Sequence, residues 1–330
     1  MKILLTAPFE KGMLERLEKV ANVVPGPQEE IRLLEPAEVT NILRHENPDV
    51  FITEINPVNA AALDAAPNLR LLGVCRTGLD NIDMEHANLR KIPVINAPGR
   101  NATSVAEFTI GLMISLGRYL VDSAVEVKQR HWQDATATWN RYTGSELAGK
   151  TVGIIGLGAI GKAVAKRLQC FQMKLLAYDP YIPDTDFVTF GVEKTGLEHL
   201  LRESDYVLLH APVTPETRGM LDLPKISLMK RSAFLVNMAR AALIDENALI
   251  STLKDRKIAG AALDVHQKEP LPLDSPWLEL DNVILTPHIA GCTTEIISNH
   301  SKMIGEDILR FCRGEKPEHL VNPSAWSGEK

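Results

Sequence analysis

Apolar runs recur at 2–6, 49–53, 69–75 and 93–96, separated by stretches in which hydrophobic residues return every three or four positions. Continuous apolar runs suit strands buried on both faces, and the helical rhythm between them suits covering helices. The alternation predicts parallel βαβ units. At 96–101 the rhythm breaks, because N-A-P-G-R-N reads as a turn. Ser104 and Glu107 then have the spacing of a capping box ahead of a long helix, whose Val105, Phe108, Leu112, Leu116 and Leu120 make one apolar stripe. The stretch 129–147 is polar and is expected to be irregular, although Trp132, Trp139 and Tyr142 fall within it. Aromatic residues in such a loop cap a core or an interface. Six further strand-like runs follow at 151–155, 174–178, 206–210, 233–237, 260–265 and 282–286, and six is what a dinucleotide-binding sheet requires.

Composition narrows the class. At 330 residues the chain has room for two domains, and 45% hydrophobic with 24% charged residues is the balance of a globular protein. No repeat of solenoid period is visible. Lys and Arg total 36 against 42 Asp and Glu, a formal charge of -6 without long runs of one sign, so nucleic acid is not expected as a partner. Pro8 and Glu10 interrupt the amino-terminal apolar run, and stretches such as 108–116 are too short to span a bilayer. A cytoplasmic protein with no membrane contact is expected. Cys75, Cys170, Cys292 and Cys312 are far apart, which suggests reduced thiols rather than disulfides, and the histidines lack metal-ligand spacing. No metal is expected.

Gly156, Gly158 and Gly161 form G-L-G-A-I-G directly after the strand-like run TVGII and open a helix on which Ile160, Val164 and Leu168 share a face. In a βαβ unit the first glycine permits the tight turn, the second admits a pyrophosphate, and the third lets helix and strand pack closely. Asp179 lies 18 residues after Gly161, at the end of KLLAYD, where a carboxylate can bind ribose hydroxyls and repel a 2′-phosphate. NAD is therefore expected in preference to NADP. Three further strand ends carry reactive side chains: Arg240 after FLVNMA, Glu269 after GAALDVHQK and His288 after NVILTP. A guanidinium binds a carboxylate in bidentate fashion and an imidazole titrates near neutrality, a combination suited to a 2-hydroxy acid.

With these residues in place, the chain resembles the NAD-dependent D-isomer-specific 2-hydroxyacid dehydrogenases, which include phosphoglycerate, glycerate/hydroxypyruvate and D-lactate dehydrogenases. The resemblance rests on T-G-L-D-N-I-D from Thr77, G-R-N from Gly99, V-A-E from Val105, L-A-G-K-T-V-G-I-I-G from Leu147, H-A-P-V-T-P-E-T from His210, V-N-M-A-R from Val236, Glu269-Pro270 and P-H-I-A-G from Pro287. It implies an α/β fold of two domains, with a Rossmann NAD-binding domain at 99–292 inserted into a flavodoxin-like substrate-binding domain at 1–98 and 293–330. Two hinges would let the cleft between them close on substrate. The resemblance implies Arg240, Glu269 and His288 as the catalytic trio. It implies cofactor contacts from Thr77, Gly156, Gly158, Ala159, Ile160, Gly161, Asp179, Ala211, Met238, Ala239, Arg240, Asp264, His288 and Gly291, with Asp264 toward the nicotinamide carboxamide. Substrate contacts would come from Arg76, Thr77, Gly78, Arg240 and His288. The long helix and the loop bearing Trp132 and Trp139 resemble a dimerisation region, so a homodimer is expected. Ending at Lys330, the chain is expected to lack the regulatory domain of some phosphoglycerate dehydrogenases.

Some residues depart from the family pattern. His266 stands where an aromatic is common and is expected to be an exposed polar residue, as the other histidines, His210 among them, are expected to be structural or superficial. Arg76 replaces a small residue, and the segment from Thr53 to Asn56 carries no arginine to clamp a phosphate, which counts against phosphoglycerate. Glu at 269, in place of Gln, argues against a formate dehydrogenase. The expected activity is interconversion of a small D-2-hydroxy acid and its 2-keto acid, with His288 as acid and base. The alternative is a corepressor-like protein that senses NAD(H) and binds peptide partners. The sequence leaves the identity of the acid open.

Overall fold

The computed structural model describes residues 1–25 and 32–328. In chain order its strands and α-helices are β1 (Lys2–Leu5), α1 (Lys11–Glu18), β2 (Asn22–Pro25), α2 (Pro36–Glu46), β3 (Val50–Thr53), α3 (Ala60–Asp64), β4 (Leu71–Val74), α4 (Met84–Leu89), β5 (Val94–Asn96), α5 (Ala102–Arg118), α6 (Leu120–Lys128), α7 (Ala135–Arg141), β6 (Thr151–Ile155), α8 (Ala159–Leu168), β7 (Lys174–Tyr178), α9 (Asp184–Thr189), β8 (Glu193–Lys194), α10 (Leu197–Glu203), β9 (Tyr206–Leu209), α11 (Leu223–Ile226), β10 (Phe234–Asn237), α12 (Glu246–Lys254), β11 (Gly260–Leu263), β12 (Val283–Leu285) and α13 (Glu295–Cys312). The chain divides into two compact units, Met1–Arg100 with Thr293–Lys330, and Asn101–Cys292.

In the first unit five parallel strands lie in the order β2-β1-β3-β4-β5, the doubly wound flavodoxin-like arrangement. Val50, Phe51, Ile52, Leu71 and Leu72 have no exposed surface, which explains why these strands read as unbroken apolar runs. Leu4, Phe51 and Leu72 pack on one face of the sheet with Leu43 and Leu63, while Leu5, Ile52 and Leu71 pack on the other with Leu17 and Ile304.

In the second unit the parallel order is β12-β11-β10-β9-β6-β7-β8, so the direction of winding reverses between β6 and β9. This is the Rossmann arrangement with one strand added beyond β11. Val207, Leu208 and Leu209 of central strand β9 are fully buried, and each contributes about 1.5–3 kcal/mol of transfer free energy. β2 and β8 had no signal in the apolar pattern: β8 is two exposed polar residues that pair with the edge of β7.

The structure corrects three expectations around the long helix. Asn101 is the N-cap of α5, without a side-chain cap, so Ser104 is a buried first-turn residue rather than the cap. The chain turns through a left-handed Tyr119 (φ 52°) and α6 departs at 67° from α5, so Leu120 leaves the stripe and is 49% exposed. The stretch 129–147 is not irregular throughout. Asp134 caps α7 by accepting the amides of Thr136 and Ala137, and Glu126 of α6 holds its far end through Arg141 (2.8 Å) and the Tyr142 hydroxyl (2.5 Å).

Candidate active site

In the second unit the candidate residues follow the carboxyl ends of neighbouring strands, the edge where ligands bind in open parallel sheets. After β6, Gly156 adopts φ +93°, a conformation that L side chains rarely take. A Cβ on Gly156 would run into the Ala211 backbone, and one on Gly161 would run into the Gly156 carbonyl oxygen. Around Gly158 there is nothing within 4 Å of a Cβ position. The turn is therefore closed on its inner side and open at Gly158, where α8 begins with no side-chain cap and no acidic residue in its first turn. Exposed amides and the positive end of the helix dipole fit a pyrophosphate. Asp179, one residue past β7, accepts the Leu157 amide (2.9 Å) through Oδ2 and the Tyr181 amide (3.0 Å) through Oδ1, so it also braces the glycine turn.

His210 follows β9 against the same turn. Both of its ring nitrogens are shut off from water without a hydrogen-bond partner, and burial lowers its pKa to about 4. It is therefore an uncharged part of the turn's packing, not a surface residue. Ala211, Met238 and Ala239 are buried. Arg240 is half-buried after β10, and its Nη1 donates to the Ala239 carbonyl (2.7 Å).

The loops after β11 and β12 bring Glu269 and His288 together. His288 Nδ1 lies 2.8 Å from Glu269 Oε2, so this nitrogen donates to the carboxylate and Nε2 is left for a ligand. Both side chains remain accessible, at 44% and 39%. Burial alone would raise the Glu269 pKa. The hydrogen bond from His288, the His266 amide and the charges of both rings outweigh it and hold the carboxyl below its ordinary value. His288 sits in the left-handed region at φ 57°, an uncommon state for a residue with a side chain, held by the structure around it.

Asp264 does much of that holding. It is 1% exposed, and its carboxylate accepts the Thr286 hydroxyl (2.6 Å) and the amides of Ile289 (2.9 Å) and Ala290 (2.8 Å) on either side of His288. Asp264 thus lies beneath the histidine loop, with both oxygens accepting hydrogen bonds from its own chain. Gly291 ends that loop, where a Cβ would meet the Asn101 side chain. His266, expected to be exposed, is half-buried; its amide donates to Glu269 Oε1 (3.0 Å), and its Nε2 donates to the Thr286 carbonyl (2.9 Å). Neither bracing role could be read from spacing, because each depends on side chains reaching between loops.

In the first unit, Arg76, Thr77 and Gly78 form the loop after β4. The Thr77 hydroxyl donates to the Ala97 carbonyl (3.2 Å), Asn96 Nδ2 donates to the Thr77 carbonyl (2.8 Å), and Arg76 is half-buried. Among the described residues no group of three His, Cys, Asp or Glu could hold a metal ion, and no single helix is long and apolar enough to cross a membrane.

Comparison with known proteins gives a concordant picture. The family model described as "D-isomer specific 2-hydroxyacid dehydrogenase, NAD binding domain" matches residues 110–290. A D-3-phosphoglycerate dehydrogenase of Methanocaldococcus jannaschii is 39% identical over 98% of this chain, which spans 59% of that protein's length. A glyoxylate reductase of Thermofilum pendens is 41% identical over 80% of this chain and 78% of its own. The solved structure of the TT0316 protein of Thermus thermophilus superposes with a TM-score of 0.84 at 31% identity, covering 97% of this chain and all of that one (100%).

Proposed function

The chain belongs to the D-isomer specific 2-hydroxyacid dehydrogenase family, and on that premise we propose that it interconverts a small D-2-hydroxy acid and its 2-keto acid with NAD(H), using His288 as acid and base. One observation carries the reading: a histidine paired through Nδ1 to a carboxylate, with Nε2 facing away from it, at the carboxyl edge of an NAD-binding sheet.

Gly156, Gly158, Gly161 and the first amides of α8 at Ala159 and Ile160 would hold the pyrophosphate, Asp179 the adenosine ribose, and Ala211, Met238 and Ala239 the surface beneath. When bound, NADH supplies the hydride. Arg240, tethered through Nη1 to the Ala239 carbonyl, binds and orients the substrate carboxylate, and the amides of Thr77 and Gly78 are proposed to share it. In reduction His288 gives its Nε2 proton to the carbonyl oxygen, and in oxidation it takes the hydroxyl proton back. Glu269, accepting from Nδ1, fixes the tautomer and orientation of the ring while His288 carries that proton. Reduction is accordingly favoured by lower pH and oxidation by higher pH.

A homodimer in the cytoplasm is part of the same reading. Support comes from the apolar surface of α6 and the segment after it, where Val125, Val127, Trp132 and Trp139 are 44%, 54%, 58% and 78% exposed.

The test follows NADH oxidation with glyoxylate, pyruvate, hydroxypyruvate and phosphohydroxypyruvate. Turnover with at least one, lost by about 10²-fold or more in His288→Ala, is expected from general acid–base catalysis. Near wild-type turnover by His288→Ala in both directions would remove this residue from its role. NADH binding with no turnover on any 2-keto acid would favour the sensor reading.

A further inference from the structure

The first unit carries a buried polar cluster that the chemistry above does not use. Its sheet order reverses between β1 and β3, and such switch points are where ligands bind in open α/β sheets. Glu54 is the first residue after β3 and is 6% exposed. Its Oε1 accepts Arg100 Nη2 at 2.7 Å, while Arg100 Nη1 donates to His300 Nδ1 at 2.7 Å. His300 has no exposed surface, and its Nε2 donates to the Pro8 carbonyl (2.8 Å) on the loop after β1. The guanidinium is thus held between a carboxylate and a neutral imidazole.

Among the remaining polar atoms, the carboxylate and amide oxygens ask for donors, and the Thr53 hydroxyl can donate or accept. Glu54 Oε2, Asn81 Oδ1 and Thr53 Oγ1 are buried without a hydrogen-bond partner. Carboxylate and amide oxygens only accept, and leaving them without donors costs free energy. Asn81 is bound into the same loop by donating to the carbonyls of Glu54 (3.3 Å) and Asn56 (2.8 Å). Thr53 pairs in register with Val74 of β4, three residues before Thr77. The nearby cations are already engaged, Arg100 as described and Arg76 in interactions of its own.

We propose that Glu54, with Asn81 and Thr53, forms the subsite for the substrate's tail and selects a 2-keto acid whose tail carries hydrogen-bond donors, hydroxyl or cationic, over one that is bare or phosphorylated. This rests on the reading that the chain reduces 2-keto acids. Arg100 and His300 act as positioning residues that hold Glu54 in place. A tail hydroxyl donates to Glu54 Oε2, whereas a phosphate brings negative charge against it.

The experiment compares wild-type kcat/KM for glyoxylate, pyruvate, hydroxypyruvate, phosphohydroxypyruvate, a polyol-tailed 2-keto sugar acid and cationic 2-keto-5-guanidinovalerate. A hydrogen bond to a charged acceptor predicts that the best donor-bearing tail exceeds pyruvate by roughly 10- to 100-fold. Phosphohydroxypyruvate should fall at least about tenfold below hydroxypyruvate by the same measure. In Glu54→Gln, Arg100 takes the amide oxygen and an NH2 stands where Oε2 was, so the preference for the donor-bearing tail over pyruvate should drop by about tenfold or more. Circular dichroism checks that this variant folds, and if it does not, the wild-type ratios decide. Pyruvate, glyoxylate or phosphohydroxypyruvate used as well as every donor-bearing acid would overturn the subsite alone. No reduction of any 2-keto acid would overturn the reading of function and this subsite with it.

Discussion

Replacing Asp264 by Asn tests whether the histidine loop is held from below. The carboxylate meets three donors, the Thr286 hydroxyl and the amides of Ile289 and Ala290, and all three bonds are 2.9 Å or shorter. An asparagine of the same shape has one acceptor oxygen. With that oxygen toward Ile289 and Thr286, its NH2 faces the Ala290 N–H, donor against donor. The loss is one bond to a charged acceptor together with a buried amide left unpaired, in all about 2–4 kcal/mol. For a unit of this size each kcal/mol lowers the melting temperature by about 2–4 °C, so a fall of roughly 5–15 °C is expected. The kinetic consequence is separate. His288 is kept at φ 57° by bonds to the next two residues, and a catalytic group displaced by about 1 Å loses on the order of 10² in rate. Differential scanning calorimetry and kcat for 2-keto acid reduction measure the two effects. A variant that melts within about a degree of wild type and keeps its kcat within about twofold would refute the reasoning, since both margins lie far inside the expected losses.

Other perturbations follow from the same geometry. Asp179→Ala should raise the NADPH-to-NADH ratio of kcat/KM by about tenfold or more, read by paired kinetics, because a carboxylate that repels a 2′-phosphate is removed. Gly156→Ala should abolish NADH binding by calorimetry or prevent folding, since φ +93° and the Ala211 backbone exclude a Cβ. Folding should weaken in acid through His210. Its native pKa near 4 lies below the unfolded value near 6.5, so the native state binds fewer protons and stability is lost as pH falls from 6.5 toward 4. Urea unfolding should show about 2 kcal/mol of this loss between pH 7 and pH 5, and His210→Asn should remove it.

The sequence alone was sufficient for features that chemistry ties to local pattern. Strands buried on both faces must be apolar throughout, so most runs in both sheets are visible in the sequence. A turn that admits only glycine against a neighbouring backbone is likewise written in G-L-G-A-I-G. The edge strand β8 left no trace because two exposed polar residues carry no period. The break at Tyr119 was hidden because an isolated left-handed residue does not alter the apolar spacing on either side of it. What folding alone decided is how side chains distant in the chain divide the work at the strand ends. The family resemblance pointed to Asp264, and His266 lies close to Glu269 along the chain, but only contacts reaching across 20 residues or more to Thr286, Ile289 and Ala290 make them the support of the His288 loop. The same holds for Glu54, Arg100 and His300, separated by 46 and 200 positions along the chain. A hydrogen bond depends on distance and direction in space, and no one-dimensional pattern encodes those for residues so far apart.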